Sequence, residues 1–446
     1  MKTFFVKTLG CKVNQVESSY IAEKLLEKGY TLASEKTAEI KILNTCVVTA
    51  KAQSECRKII KKWKKLPHKL IVVAGCYPQK FHEEILSLAK KHQIKNLLVL
   101  GQIEKLKISE IIENLNPEEL PLFKIKDVSR EVCMIPLNFK KFFKHSRAFI
   151  KIQDGCDNFC SYCIVPHVRG KPRSLPLQEV LNQIENFLNQ GYQEIVLTGI
   201  HIGKWGEDFY SPLKFSDLLY KIEELFERYS QATGKLLSLR LSSIEPNEIN
   251  EDFLNFVKTS RFIAPHFHIP LQSGSNKILK LMRRKYTGEK YLEVLQALWE
   301  VFPHATFGAD VIVGFPGEEE KDFRETLEIV KKSPLNWLHI FPFSPRPFTP
   351  AEKMPDRVLP SEIKKREKIL REVISQKRDE FLKTEVGQVR KVVVEKFLSE
   401  EKVFKGLSEN YIPVYFKGSP DRFKKGEIVK VRFLEKTGEA MKGEVV

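Results

Sequence analysis

Three short apolar stretches near the start of the chain end alike. Residues 4–9 run into Gly10-Cys11, residues 40–43 into Asn44-Thr45-Cys46, and residues 70–74 into Gly75-Cys76. Each has the length and β-branched content of a strand, and helical spacing follows each one. Tyr20, Ile21, Leu25 and Leu26 fall on one stripe, a helix is predicted near 50–65, and Phe81, Ile85 and Leu88 form the next stripe. Repeated strand–helix units predict a mostly parallel sheet with helices on its faces. In such sheets ligands gather at the carboxyl ends of the strands, where all three cysteines lie.

The alternation resumes after a mixed segment at 101–145. Strands are predicted at 147–153, 194–198, 237–241, 266–270, 306–313 and 337–341, with helical stretches between them. Six such units fit a partial (β/α)6 barrel, whose polar and glycine-rich residues again follow the strands. A long helix is predicted from Ser361, as N-cap, through Ile363, Leu370, Val373 and Phe381. The period then changes to two, at 389–397, 402–407, 411–416 and 428–433, as in a small OB-like β-barrel. The fold class is therefore α/β. An N-terminal parallel α/β domain spans 1–130, a central barrel 142–375 and a small C-terminal β-barrel 376–446.

With 446 residues the chain can bury several cores, and it contains no apolar run long enough to span a membrane. Its beginning lacks the apolar core and small-residue cleavage site of a signal peptide, so a cytoplasmic location without membrane attachment is expected. The formal charge of +17 suggests a polyanionic partner, although a solubility surplus or adaptation to heat would give the same total. The basic helix at 57–65 reads as a solvated face, with Trp63 a candidate stacking platform, and 140–147 as a basic linker. In the last domain basic side chains interleave with Phe404, Tyr411, Tyr415 and Phe416, as a phosphate-contacting, base-stacking surface requires.

The cysteines sharpen this picture. Cys156, Cys160 and Cys163 are too crowded for independent core thiols, and three thiolates leave one iron of a cubane cluster open to a small molecule. Cys11, Cys46 and Cys76, at equivalent points of successive units, point to a second shared metal site. Three thiolates plus water would also suit zinc, and iron–sulfur is preferred because the central motif already indicates cluster chemistry. Cys56, inside a helix, and Cys133, at a domain junction, read as core or spectator residues.

Cys156-x3-Cys160-x2-Cys163, with Tyr162 before the last cysteine, resembles the radical S-adenosylmethionine signature. With Leu9-Gly-Cys-Lys-Val-Asn-Gln15, Asn44-Thr-Cys46, Gly75-Cys76, Pro270-Leu-Gln-Ser-Gly274, Met282-Arg-Arg-Lys-Tyr286 and Asp310-Val-Ile-Val-Gly-Phe-Pro-Gly317, the chain resembles the methylthiotransferases. Gly10 to Gln15 followed by Glu17 is most similar to the MtaB branch, which acts on tRNA N6-threonylcarbamoyladenosine beside the anticodon. The branches acting on isopentenyladenosine or on a ribosomal protein aspartate differ in this segment. The resemblance implies two 4Fe-4S clusters, one on Cys156, Cys160 and Cys163 and one on Cys11, Cys46 and Cys76. It implies S-adenosylmethionine held near Tyr162, Thr198, Gly199, Ser242, Gln272 and Ile312, with no catalytic residue beyond the cluster ligands. Hydrogen would be taken from adenine C2 and a methylthio group delivered from the second cluster. The expected partners are the tRNA anticodon stem-loop, through a C-terminal TRAM module, and an electron donor such as flavodoxin or ferredoxin; a monomer is expected. His167 and His201 read as structural histidines, and one of Arg283, Arg284 and Lys285 as a candidate for the threonylcarbamoyl carboxylate. An iron–sulfur protein that binds RNA or passes electrons without chemistry is the alternative of another class.

Overall fold

The computed structural model describes every residue except Met1, Lys141, Phe143 and Lys144. The expected basic linker therefore lies partly outside the described residues. The chain divides into two compact units: residues 1–143 with 153–173 and 344–352, and residues 144–152 with 174–343 and 353–446.

The first unit is built on a six-stranded parallel sheet in the order Thr31–Leu32, Thr3–Thr8, Ile40–Thr45, Leu70–Gly75, Leu97–Leu100, Leu122–Lys124. Ile40–Thr45 and Leu70–Gly75 are buried along their whole length, because helices cover both faces of a parallel sheet. Ile21, Leu25, Ile108 and Ile112 pack on one face, and Ile59, Ile60, Trp63, Tyr77 and Ile85 on the other. Trp63 is thus a core residue, its indole N–H donating to Glu35 (2.8 Å), and it offers no stacking platform. The strand Thr3–Thr8 lies between Thr31–Leu32 and Ile40–Thr45, so strand order reverses beside it. Cys11 and Cys46 leave the sheet on the two sides of that reversal, the usual place for a ligand in an open α/β sheet.

The second unit carries six parallel strands in chain order. Ala148–Lys151, Glu194–Thr198 and Ser238–Leu241 form one sheet, and His266–His268, Thr306–Val313 and Trp337–Pro342 another. A parallel bridge between Leu239 and Ile263 joins them into an open half-barrel. The helix Pro360–Thr384 starts one residue earlier than expected. Pro360 occupies its first turn, where a fixed φ and a missing N–H suit a helix start, so Ser361 is not the N-cap.

The C-terminal module is a closed five-stranded barrel: Val389–Leu398, Val403–Ser408, Pro413–Lys417, Ala440–Val445, Ile428–Thr437. Ala440–Val445, which the periodicity did not reveal, closes it by pairing in parallel with Pro413–Lys417. Phe404 and Phe416 stack inside (5.6 Å) among Val414, Phe433 and Met441, so they cannot meet a base. Tyr411 is also withdrawn from solvent-side stacking. Its ring lies on His266 (4.2 Å, 22°) with the Arg240 guanidinium 5.2 Å above it. Arg240 also pairs with Glu194 (2.8 and 3.0 Å) and donates to the Ser408 and Glu409 carbonyls (3.2 and 2.9 Å). Thr306 Oγ1 donates to the Asn410 carbonyl (2.6 Å). Glu194, His266 and Thr306 begin their strands, so the small barrel is fastened to the amino-terminal rim of the half-barrel. Among the described residues no helix is long and apolar enough to cross a membrane.

Candidate cluster and cofactor sites

Cys11, Cys46 and Cys76 each follow a parallel strand of the first unit, and local hydrogen bonds tie the three turns together. Asn14 Nδ2 donates to the Leu9 and Thr45 carbonyls (2.7 and 2.9 Å). Asn44 Nδ2 donates to the Asn14 carbonyl (3.0 Å), and Thr45 Oγ1 donates to that of Ala74 (2.7 Å). Gly10 has φ +98°, and a Cβ there would stand 2.7 Å from Cys46 Cβ, so only glycine lets the first turn approach the second.

The thiols feel one another. Burial first, then Cys76 and Cys11, push the Cys46 thiol up to about 12. Cys11 sits in a solvent-accessible position, yet surrounding protein atoms desolvate its sulfur and raise its pKa against the pull of Arg169. Gln102 Nε2 donates to Cys76 Sγ (2.9 Å). A convergent trio of sulfurs, a hydrogen-bond donor on one of them and a buried cation nearby suit a thiolate-bound metal centre, whose negative charge those groups would offset. Cys56 belongs to the core, its sulfur 3.6 Å from the Cys46 carbonyl, whereas Cys133 is exposed.

The loop bearing Cys156, Cys160 and Cys163 belongs to the same compact unit. Gly155 (φ +75°) lies so close to the Lys171 carbonyl that a Cβ there would stand 1.9 Å from its oxygen; Cys156 N–H donates to the Gly170 carbonyl (3.0 Å). The Asn158 amide faces Cys156 Sγ (3.5 Å), and Cys163 N–H donates to the Cys160 carbonyl (3.0 Å). The helix Val165–Arg169 follows, and its last residue reaches back to the N-terminal site. Arg169 Nη1 contacts Asp154 (2.9 Å) and Glu17 (3.1 Å), and Nη2 donates to Asn14 Oδ1 (2.7 Å). Burial disfavours its charge, but Asp154 and Glu17 outweigh that and hold it protonated beside Cys76 and Cys11.

The profile of the radical SAM superfamily matches residues 150–330, and that of uncharacterized protein family UPF0004 matches residues 3–98. The chain is 37% identical to the threonylcarbamoyladenosine tRNA methylthiotransferase MtaB of Aquifex aeolicus, over 97% of this chain and 100% of that protein. The chain belongs to the radical SAM tRNA methylthiotransferases. A second relative, the tRNA-2-methylthio-N(6)-dimethylallyladenosine synthase of Carboxydothermus hydrogenoformans, is 33% identical over 97% of both chains. The fold is similar to that of the radical S-adenosylmethionine methyltransferase TsrM of Kitasatospora setae, with TM-score 0.56 at 14% identity over 79% of this chain and 74% of that one. Membership of this family implies S-adenosylmethionine and a 4Fe-4S cluster.

In this methylthiotransferase the residues expected to hold S-adenosylmethionine fall into both units. Tyr162 lies in the cysteine loop of the first. Thr198 ends a strand of the second, Gly199 follows it, and Ser242 follows the next strand. Gln272 is in a left-handed conformation (φ 62°) and bridges to the Thr306–Val313 strand, its carbonyl accepting from Ile312 N–H (2.9 Å). All five second-unit residues, Ile312 included, lie at or just beyond the carboxyl ends of strands. The Ser242 hydroxyl is buried without a hydrogen-bond partner among the described residues, as a group awaiting a polar ligand would be. Gly274 and Gly314 have structural explanations, since a Cβ would strike the Thr326 backbone or the Ile363 side chain.

His201 is buried against the Glu248 carboxylate, and His167 stands among Phe159 and Phe348, which fits structural roles. Arg284 is ion-paired with Glu245 and lies over Tyr286, so this one of the three cations considered for a substrate carboxylate is already engaged. Reading residues singly missed Arg169 and Gln102. A lone arginine in Val168-Arg-Gly170 carries no signal until Asn14 and Glu17, three apart on one helix face, are placed against it.

Proposed function

We propose that the chain converts N6-threonylcarbamoyladenosine at position 37 of tRNA, 3′ to the anticodon, into its 2-methylthio derivative. The observation that carries this reading is the presence of both cysteine trios in one compact unit, in a chain that matches an MtaB protein end to end. Two three-cysteine centres serve a reaction in which one must open a C–H bond and the other must supply sulfur. We assign Cys156, Cys160 and Cys163 to the cluster that binds S-adenosylmethionine, and Cys11, Cys46 and Cys76 to the second. Tyr162, Thr198, Gly199, Ser242, Gln272 and Ile312 are assigned to S-adenosylmethionine. When bound, these groups supply radical hydrogen abstraction and sulfur transfer that protein side chains cannot perform.

The chain's own residues set the electrostatics. Gln102 and the Asn158 amide aim N–H groups at the cysteine sulfurs of Cys76 and Cys156, and Arg169 keeps a fixed positive charge beside the N-terminal trio. Glu17 accepts from both Arg169 and Lys105 (2.6 Å), which fixes the helix that carries Asn14. Tyr415 and the lysines around it on the outer face of the small barrel are assigned to the RNA. A cytoplasmic monomer served by a flavodoxin- or ferredoxin-type donor completes the reading.

The test is mass spectrometry of tRNA nucleosides after anaerobic reaction of the reconstituted protein with reductant and S-adenosylmethionine. A methylthio adduct on threonylcarbamoyladenosine is expected; an adduct only on isopentenyladenosine would move the chain to the dimethylallyl branch. Cys46→Ala should still cleave S-adenosylmethionine but insert no sulfur. Equal loss of both activities would refute the division of labour.

A further inference from the structure

We propose that His268, Asp310 and His339 form a site for a divalent first-row transition-metal ion on one face of the sheet formed by His266–His268, Thr306–Val313 and Trp337–Pro342. The three residues come from three neighbouring strands of the second unit, and their candidate ligand atoms all lie within 4.8 Å of one another. Register explains the convergence. Asp310 pairs with His339, and His268 pairs with Gly308, two residues before Asp310 on the same side of its strand. The alternate residues Phe267, Phe307, Ala309, Val311 and Ile340 are buried, so the histidines and the aspartate take the opposite, more open face.

Gly308 makes the approach possible. A Cβ there would stand 3.0 Å from the His268 ring. The imidazoles of His268 and His339 are 5.6 Å apart and tilted by 48°. Ser243 Oγ lies 2.8 Å from His268 Nδ1, which turns Nε2 toward the aspartate. That nitrogen is buried, has no hydrogen-bond partner among the described residues, and lies 3.3 Å from Asp310 Oδ1. Metal bonds of about 2.0–2.2 Å place neighbouring donor atoms roughly 3–3.5 Å apart, so this pair already has the spacing of two ligands on one ion. The Trp337 indole N–H approaches His339 Nε2 at 3.4 Å, a long contact that a metal bond would displace.

Two neutral imidazoles and one carboxylate make a facial set that leaves coordination positions open. Oxygen donors of a bound molecule or water would fill those positions. Orientation of His268 by Ser243 is the outer-shell support that metal-binding histidines commonly have. The inference stands on the geometry of the second unit and does not depend on which tRNA base is modified.

The experiment is an electron paramagnetic resonance titration of Mn(II) into the full, cluster-reconstituted chain after passage over chelating resin, with Zn(II) as competitor. One tightly bound Mn(II) per chain is expected, displaced by Zn(II). Asp310→Asn and His268→Ala should each weaken binding about tenfold or more, and Ser243→Ala by roughly tenfold, the scale of outer-shell losses. His339→Gln changes an exposed side chain and keeps the test decisive if a buried variant misfolds; unchanged cluster absorbance reports the fold. No saturable Mn(II) or Zn(II) binding, or equal binding by wild type and His339→Gln, would overturn the assignment and leave the triad a hydrogen-bonding wall.

Discussion

Arg169, at the end of the helix that follows the central cysteine loop, donates to Asn14 (2.7 Å) and contacts Glu17 (3.1 Å), at the start of the helix that follows Cys11. One guanidinium thereby links the two cysteine-bearing segments of the first unit. Its removal would leave the buried Glu17 and Asp154 carboxylates short of their shared partner. Breaking a buried pair from one side costs roughly 3–5 kcal/mol. Arg169→Met is expected to lose stability on that scale in urea unfolding. Arg169→Lys should recover only part of it, because an ammonium cannot serve Asn14, Glu17 and Asp154 through one planar fork. Equal stability of wild type and Arg169→Met would show that Lys105 alone satisfies Glu17.

The proposed assignment separates the cysteines into cluster ligands and the core residue Cys56. On the proposed two-cluster assignment, Cys11→Ser, Cys46→Ser and Cys76→Ser are each expected to halve the iron and sulfide bound after anaerobic reconstitution. Cys56→Ala should leave the iron content unchanged and cost about 1 kcal/mol of stability, because it removes one buried sulfur from the core. Iron and sulfide assays of the four variants decide this. Full iron retention in Cys46→Ser would remove the N-terminal site from the scheme.

Much of the fold was legible before any coordinates. The six half-barrel strands are found where alternation and flanking glycines placed them, because a strand packed on one face keeps apolar residues at alternate positions, as Phe307, Ala309, Val311 and Val313 do. Elements invisible to pattern were short or marginal. Leu122–Lys124 and Thr31–Leu32 span too few residues for a period to register, and the Met-Lys-Gly-Glu run of Ala440–Val445 is strand only because it completes a closed barrel. The aromatic surface was misjudged for a related reason. In a small barrel the inner positions are aromatic as well, so Phe404 and Phe416 fill the core although basic residues flank them. No local rule places Arg169 beside Asn14, a contact across more than a hundred residues.

Acidification should destabilise the protein through its histidines. Burial, aided by Arg147 and Lys425, lowers the pKa of His145, and burial with Lys80 lowers that of His167, both from 6.5. For a group depressed on folding, the unfolded chain binds more protons, so its stabilising contribution is present above the unfolded value and lost as pH falls through the folded one. The urea midpoint is expected to drop between pH 7.5 and 5.5. His145→Phe, which keeps an aromatic ring against Phe149, should reduce that drop. Glu318 acts in the opposite sense, since burial raises its pKa despite Arg366, and the single-histidine variant isolates the imidazole contribution. A pH response identical in His145→Phe would assign the effect to other groups.

The outer face of the small barrel presents a cross-strand row in which Lys396 pairs with Lys405, Lys405 with Tyr415, and Tyr415 with Lys442. Lys396 and Lys442 are exposed and Tyr415 is half-buried, so the row offers three cations around one ring, with Glu435 tempering Lys442 (3.2 Å). Replacing Lys396 and Lys405 by Gln is expected to weaken tRNA binding and flatten its salt dependence. Each lost phosphate contact should reduce the slope of log K against log salt by about 0.7–0.9. Tyr415→Ala should cost roughly 1–3 kcal/mol of affinity with little change in slope, as loss of base stacking does. Phe416→Ala should instead lower stability by about 3–5 kcal/mol, because its ring is buried in the barrel core. Fluorescence anisotropy with an anticodon stem-loop at several salt concentrations separates the three effects. Unchanged affinity in the double lysine variant and in Tyr415→Ala would make this face a solvated basic surface and move RNA contact to another part of the chain.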